Sequence, residues 1–257
     1  MPVTDLALLT QAARKSGQIA QGYFGQGPEV WEKAAGAGPV TAADLAVNTM
    51  LHQTLQAARP DYGWLSEETE DTDARLGTQA QFVIDPIDGT RAFIAGTKDW
   101  AHSLAIVHAG QVTTAAVYLP MRDMMFTAAL GQGAFLNGAP INALSNTVMV
   151  QATILTHKAN CHKKHWKDGI FPQTNIAFRS SLAYRLCLVA QGRFDAMITL
   201  RPTWEWDVAA GTLILSEAGG VATTQTGGPI RFNNPHPQLD GLIGAGGLYG
   251  TLMAHLA

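Results

Sequence analysis

Phe82-Val83-Ile84-Asp85-Pro86-Ile87-Asp88-Gly89-Thr90 is an apolar run that ends in two carboxylates three residues apart, with a Gly-Thr pair directly after them. The apolar part predicts a short buried strand, and the Asp/Gly end predicts its termination. Two carboxylates held close together repel unless a cation or a proton lies between them, which suits a hard divalent ion such as Mg²⁺. If Gly89, Thr90 and Arg91 open a helix, their N–H groups face an anion. A cation on one side and an anion on the other point to phosphoryl chemistry. A plain strand followed by an Asp/Gly turn is the competing reading of the same residues, and only the rest of the chain separates the two.

Upstream, Thr4-Asp5 caps a predicted helix to about Tyr23, with Leu6, Leu9, Ala13 and Ala20 near helical spacing. Gly25 to Gly38, broken by Pro28 and bounded by Pro39, reads as a loop. Thr41 caps a second helix in a box with Asp44, and Val47, Met50, Leu51, Leu55 and Ala58 form its apolar stripe. Pro60 ends that helix, and Gly63 to Ser66 is a short strand that leads into Glu67-Glu68.

Downstream, Ser103–Val107, Val112–Leu119 and Met124–Ala128 predict an antiparallel meander, and Gly131 to Gly138 reads as turn-rich. From Ala152 the pattern changes. Strands are expected over Ala152–Thr156, Thr174–Phe178, Phe194–Leu200 and Leu239–Ala245, with a helix over the Lys/His-rich stretch that follows Thr156. Ser180-Ser181 caps a further helix carrying Leu182, Leu186 and Val189, and Val208–Ala218 is another, ended by Gly219-Gly220. The expected organisation is an α/β (α+β) chain in two halves packed as one unit, residues 1–148 and 149–257.

A net charge of -3 gives no electrostatic footprint for a nucleic-acid polymer. The absence of any run of about eighteen apolar residues argues against a spanning helix. Asp5 among the first apolar residues and the lack of a basic leader argue against a secretory signal, and two cysteines make no disulfide framework, so the expected location is cytoplasmic.

Glu67, Asp85, Asp88 and Asp207 each lie at the end of a predicted element, where a side chain reaches a shared cleft. Taken singly, each has a structural account; Asp207, in Trp206-Asp207-Val208-Ala209-Ala210-Gly211, is equally a helix N-cap. Taken as an ordered set they are recognisable. Together with Ser66-Glu67-Glu68, Asp85-Pro86-Ile87-Asp88-Gly89-Thr90, Gly133-Ala134-Phe135-Leu136-Asn137-Gly138 and Glu217-Ala218-Gly219-Gly220, the Trp-Asp block resembles the inositol monophosphatase superfamily of Mg²⁺-dependent, lithium-sensitive phosphomonoesterases over essentially the whole chain.

That resemblance implies a layered αβαβα sandwich with a largely antiparallel N-terminal sheet and a mixed C-terminal sheet, commonly dimeric. It implies two or three Mg²⁺ ions. Glu67, Asp85 and the Ile87 carbonyl would hold one, and Asp85, Asp88 and Asp207 a second. It further implies that Glu67 and Thr90 position the attacking water with Asp44 in support, and that the Gly89 and Thr90 N–H groups bind the phosphate. The residue types suit this chemistry on their own terms: divalent ions supply an activated water and charge neutralisation, so no side-chain nucleophile is required. The competing class is a non-catalytic binding relative, against which stands the joint retention of Glu67, Asp85, Asp88, Thr90 and Asp207.

Substrate is where the sequence departs from the family. Inositol-specific members carry a glutamate seven residues before the Trp-Asp aspartate; here that position is Leu200, which cannot accept a hydrogen bond from a polyol. Arg179-Ser180-Ser181 replaces the usual small segment, and with Ser181-Leu182 and Pro202-Thr203 it is similar to 3'(2'),5'-bisphosphate nucleotidases. Asp88-Gly89-Thr90-Arg91-Ala92-Phe93-Ile94 is similar to histidinol phosphatases. The expected partner is a small phosphorylated metabolite. Arg179, Ser181 and Trp204 are candidate substrate contacts, with Arg91 and Arg201 as further cations for a second phosphate. Asn48 stands where an acid is common. Cys161-His162-x-x-His165 with His157 is a weak zinc candidate, because one helix would not turn all four to a point.

Overall fold

The computed structural model describes residues 3–33 and 38–257. Helix α1 (Asp5–Tyr23) starts where the Thr4 hydroxyl accepts from the Ala7 N–H. A short antiparallel pair follows, β1 (Val30–Glu32), inside the region expected to be a loop, with β2 (Pro39–Thr41) directly after that region; residues 34–37 lie outside the described residues. Helix α2 (Ala42–Ala58) carries the expected capping box, Thr41 Oγ1 accepting from the Ala43 and Asp44 N–H groups while Asp44 Oδ2 accepts from the Thr41 N–H. Its buried stripe is Val47, Met50, Leu51 and Leu55, whereas Ala58 is exposed.

Next come β3 (Gly63–Ser66), β4 (Ala80–Asp88), the short α3 (Thr90–Ile94), β5 (Ala101–His108), β6 (Gln111–Leu119), β7 (Met124–Ala129), β8 (Ala134–Leu136) and β9 (Ala139–Pro140). They form a seven-stranded sheet in sequence order, parallel only between β3 and β4. The turn-rich Gly131–Gly138 stretch contributes β8, which pairs with β7.

The second half contains β10 (Thr153–Thr156), β11 (Asn175–Ala177), α4 (Leu182–Ala190), β12 (Ala196–Thr199), β13 (Thr203–Trp204), α5 (Glu205–Glu217), β14 (Val221–Thr223), β15 (Gln238–Leu239), β16 (Leu242–Ala245) and α6 (Tyr249–His255). Its main sheet has the order β11-β10-β12-β16-β14 and is mixed, since β10 is parallel to both β11 and β12 while β16 is antiparallel to β12 and β14.

Two expectations fail here. Leu239–Ala245 is two strands, because Gly241 adopts φ 97° and a Cβ there would lie 2.7 Å from the Thr199 carbonyl oxygen. The Lys/His-rich stretch is three 3₁₀ turns, Lys158–Cys161, Lys163–His165 and Lys167–Gly169, not a helix. Extended backbone at His157, His162 and Trp166 restarts the chain before each turn, and Asp168 takes φ 56°.

Strand alternation builds the layers. Phe82, Ile84, Leu104, Ile106 and Ala116 pack under α1 and α2, while Val83, Ala105, Val107, Ala115 and Val117 face α4 and α5 on the opposite side. Those two helices also receive Leu155, Met197 and Leu242 from the second sheet, whose other face packs Ile154, Ile198 and Ile243 against Leu248 and Leu252 near the C-terminus. The order of layers is therefore αβαβα. Helix α5 lies between two sheets, so it is buried nearly all round and shows no polar stripe. Gly211 lets it approach α4: a Cβ there would lie 2.7 Å from the Leu186 side chain. No described helix is long and apolar enough to cross a membrane.

Candidate active site and metal centre

The site begins with a break in β4. Asp85 pairs with Ser103 and Asp88 with Ala101, three steps along β4 against two along β5. In an unbroken strand Asp85 and Asp88 would point to opposite faces. The extra residue, at Pro86 and Ile87, turns Ile87 into the α1/α2 core and brings both aspartates to the face that meets α5. Proline in a central strand requires such a bulge, having no N–H for the ladder. The buried His102 ring fixes it, Nδ1 bonding the Pro86 carbonyl oxygen. Burial holds the His102 pKa down to about 4, so the ring is neutral and its Nδ1 carries the proton.

Gly89 follows at φ 98°, the left-handed region, where a Cβ would lie 3.1 Å from the Asp99 carbonyl oxygen. It opens α3, whose first-turn N–H groups have no carbonyl one turn back within the helix. Thr90 Oγ1 lies 3.1 Å from the Ile87 carbonyl oxygen and 3.4 Å from Asp44 Oδ1, so Asp44 joins the site through Thr90.

Ligand-capable oxygens of Asp85, Asp88 and Asp207 lie within 4.8 Å of one another. Asp207 sits at the third position of α5, where its Oδ2 accepts from the Trp204 N–H. Asp88 accepts from Ser181 Oγ at 2.6 Å and from the Ala183 and Leu182 N–H groups at 2.7 and 3.2 Å, so it also caps the start of α4. Asp85 is buried, and its Oδ1 has no partner. Burial, reinforced by Glu67, Asp88 and Asp207, drives its pKa well above the usual carboxylate range, and burial with Asp88 and Glu67 does the same to Asp207. Asp88 is pushed up to about 6 by burial, against the pull of its three hydrogen bonds. Three crowded acids with an unpartnered buried oxygen are the donor set a hard divalent cation needs, and the residues fit Mg²⁺ on that ground.

Glu67 lines the same cavity but is held from another side: Lys33 Nζ lies 2.7 Å from both Glu67 Oε1 and Glu68 Oε1. Asn48 braces this turn, accepting from Ser66 Oγ at 2.7 Å and donating to the Glu68 carbonyl. Lys33 escaped the sequence reading because its partners are more than thirty residues away; its only local signal is a cation beside a glycine-rich segment. Arg185 was also missed, although an arginine inside the apolar helix α4 is itself a signal. It is buried 4.5 Å from the Phe178 ring centroid, and burial lowers its pKa to about 10 while Asp88 opposes the shift.

A cavity of about 920 Å³ opens over the acids. Glu67, Asp85, Asp88, Gly89, Thr90, Leu200, Trp204 and Asp207 all line it, and Trp204 stacks on Trp206 at 4.8 Å. Two expected substrate contacts stand elsewhere. Arg179 is absent from the lining; its Nη1 donates to the Phe178 carbonyl and its Nε lies 3.8 Å from Asp99. Ser181 is fully buried, spending its hydroxyl on Asp88 and on capping α4. Among the described residues, Cys161 and the histidines at 157, 162 and 165 form no ligand set, and His157 and His162 each use Nδ1 to accept a backbone N–H.

The acids impose a pH dependence. Burial raises Asp44 and Asp88 to about 6, and burial with Glu67 raises Glu68 to about 7. The folded state thus binds more protons than the unfolded chain between about pH 4 and 7, so stability without metal falls as pH rises through that window. In calorimetry with chelator, Tm is expected to drop from pH 5 to pH 8, and Mg²⁺ is expected to raise Tm more at pH 8 than at pH 5. A gain independent of pH would show that Asp88 does not take the cation.

A model of the Inositol monophosphatase family matches residues 2–256. The chain is 31% identical over 234 residues to Inositol monophosphatase 2 of Solanum lycopersicum, covering 87% of each protein. It is 34% identical over 239 residues to Nus factor SuhB of Escherichia coli (strain K12), covering 88% of this chain and 86% of that one. Its fold is similar to the crystal structure of the extragenic suppressor protein suhB from Bartonella henselae, with a TM-score of 0.82, 28% identity, and coverage of 96% of this chain and 95% of that one.

Proposed function

The chain belongs to the inositol monophosphatase family, and from that premise we propose that it hydrolyses a small phosphate monoester to an alcohol and inorganic phosphate, with water as the nucleophile. The observation that carries this reading is the crowding of Asp85, Asp88 and Asp207 within 4.8 Å, with Asp85 Oδ1 buried and unpartnered. Glu67, Asp85, the Ile87 carbonyl, Asp88 and Asp207 would hold two or three Mg²⁺ ions. Bound there, Mg²⁺ supplies a lowered pKa for water and neutralisation of phosphoryl charge.

The protein's own groups do the positioning. Glu67 and Thr90 orient the attacking water, and Asp44 holds the Thr90 hydroxyl through Oδ1. The N–H groups of Gly89 and Thr90 bind phosphate oxygens at the head of α3, where backbone dipoles favour an anion. Lys33 holds Glu67 and Glu68 together by charge on the opposite side. The alcohol is received beside Leu200 and Trp204, which offer apolar contact and no acceptor for a ring of hydroxyls. Leu200 therefore favours a bisphosphorylated nucleoside or histidinol phosphate over inositol phosphate as the alcohol carrier. By the family resemblance the enzyme is a homodimer, which sedimentation tests as a species of twice the 27.4 kDa chain.

Phosphate release is expected to require Mg²⁺ and to stop on chelation, and millimolar Li⁺ is expected to inhibit it. Equal rates with and without chelator, or no release across a broad panel, would sink the reading. Values of kcat/KM for inositol 1-phosphate, 3'-phosphoadenosine 5'-phosphate and histidinol phosphate decide the alcohol, and a strong preference for inositol 1-phosphate would refute the Leu200 argument.

A further inference from the structure

Behind the cavity wall, away from the crowded acids, lie two buried charges of opposite sign that hold one short segment between them. Glu205, the first residue of α5, is fully buried, directly after Trp204 and two residues before Asp207. Its carboxylate accepts from the Asn233 N–H at 2.7 Å, from the Asn234 N–H at 2.9 Å and from Asn234 Nδ2 at 2.6 Å. Arg75, also buried, takes the oxygens of the same residues. Its guanidinium donates to Asn233 Oδ1 at 2.6 Å and to the Asn234 carbonyl at 2.9 Å, while Nε and Nη2 engage Asp71. Residues 233 and 234 are thus gripped by an anion at their N–H groups and by a cation at their oxygens. Asn233 adopts φ 64° in that grip, a left-handed backbone that a residue other than glycine keeps only where its surroundings fix it.

The two charges lead to different sides of the hydrolytic site. Arg75 belongs to a 3₁₀ turn, Asp73–Gly77, seated so closely on β3 that a Cβ at Gly63 would lie 2.6 Å from Thr78 Oγ1 and 3.1 Å from the Arg75 Cβ. Strand β3 ends at Ser66, and Glu67 follows it. Glu205 stands between Trp204, on the cavity wall, and Asp207, among the crowded acids. Beyond the gripped residues the chain returns to Trp204. The Pro237 carbonyl accepts from the Glu205 N–H at 2.9 Å, Gln238 pairs with Trp204 between β13 and β15, and the His236 ring meets the Trp204 ring at 5.4 Å. Buried charges are a poor source of net stability, since desolvation offsets their attraction, but their directed hydrogen bonds specify one geometry.

We propose that Arg75 and Glu205 are positioning residues: by gripping residues 233 and 234 from opposite sides, they hold Trp204 and Asp207 in register with Glu67. The proposal rests on the acids taking the cation and the cavity receiving the phosphate ester. Neither Arg75 nor Glu205 lines that cavity, so both act through the groups they hold.

Arg75→Met, Glu205→Gln and the double variant are compared with the native protein in three measurements. Titration calorimetry without substrate gives Mg²⁺ affinity. Near-ultraviolet circular dichroism reports the stacked Trp204 and Trp206 rings, with Trp204→Phe as the reference for their share of the signal. Hydrolysis of p-nitrophenyl phosphate at saturating Mg²⁺ gives kcat and KM. Each single variant is expected to weaken Mg²⁺ binding about tenfold, to raise KM about tenfold and to lose the dichroism of the stacked pair, the scale of one or two hydrogen bonds withdrawn from a fixed geometry. Turnover should change less than KM, because no group that meets the reacting atoms is removed. The double variant should resemble the single ones, since both side chains act on the same two residues and neither charge is left buried alone.

A lower Tm with native Mg²⁺ affinity, KM and dichroism would assign the pair to fold stability alone and overturn the proposal. Effects of the double variant equal to the product of the single ones would overturn it as well, because two independent contacts are no grip. Should Arg75→Met fail to fold, Arg75→Lys replaces it, keeping the charge with fewer of the hydrogen bonds, and the same outcomes decide. If the native protein releases no phosphate with Mg²⁺ present, the hydrolytic reading has failed, and calorimetry and dichroism decide the positioning role by themselves.

Discussion

Asp85→Asn is expected to lower kcat by at least about a thousandfold and at the same time to make the metal-free protein more stable. The loss follows from removing a charged ligand at the centre of the acid set, an interaction needed only to carry the reaction. The gain follows from the unpartnered Oδ1 and from the charges of Glu67, Asp88 and Asp207 around a buried carboxylate. The native pKa of Asp85 lies above its unfolded value, so ionisation of this group opposes folding at any pH above the unfolded carboxylate range. Asparagine abolishes that opposition. With chelator at pH 8, the variant should therefore melt above the native protein, and the difference should close as pH falls below about 4, where the native side chain is protonated in both states. Added Mg²⁺ should reverse the order. Near-native turnover, or a variant that melts lower in chelator at pH 8, would remove Asp85 from the metal centre.

Asp88→Asn separates two roles of one side chain. Turnover is expected to fall by several orders of magnitude, as with Asp85. Stability should change little, because asparagine can turn its carbonyl toward Ser181 Oγ and the Ala183 N–H and give up only the 3.2 Å bond from Leu182. One lost buried hydrogen bond costs about 1–3 kcal/mol, and removal of a crowded charge offsets part of it. Phosphate release at saturating Mg²⁺ beside a chelator melting curve measures both. Retention of near-normal activity would refute the ligand assignment, and loss of folding would show that Asp88 serves mainly to cap the start of α4.

Much of this arrangement can be read from local sequence, and the exceptions share a cause. The Thr4 and Thr41 caps, the β5-β6-β7 meander and the Ser181 cap of α4 depend on residues within a few positions of one another, so periodicity and capping chemistry find them. The order of the acids, with the strand end and the helix start that carry them, is legible for the same reason. What sequence spacing could not supply is the face. Asp-x-x-Asp on a regular strand separates its carboxylates, and the bulge that unites them depends on Pro86 being received by His102 across the ladder. Lys33 reaching Glu67, and Arg185 settling over Phe178, are likewise contacts of the folded chain. The failed helix after Thr156 has a different origin. Lys and His are compatible with helix, but His157 and His162 each bond a backbone N–H two residues on, which favours repeated short turns over propagation.

The layer order also has a consequence for redesign. Asp85 and Asp88 lie in β4 of the first sheet and Glu67 and Thr90 just after its strands, whereas Leu200, Arg201 and the 157–165 turns follow β12 and β10 of the second. The starts of α4 and α5 bear on both, α4 through Ser181 and the Leu182 and Ala183 N–H groups on Asp88, and α5 through Asp207 with Trp204 directly before it. On the proposed reading, bond cleavage and choice of alcohol thus fall to separate sheets that meet across two helices. New specificities can be sought by exchanging the segments after β10 and β12 as cassettes, with the carboxylates, the bulge and the α5 start left untouched.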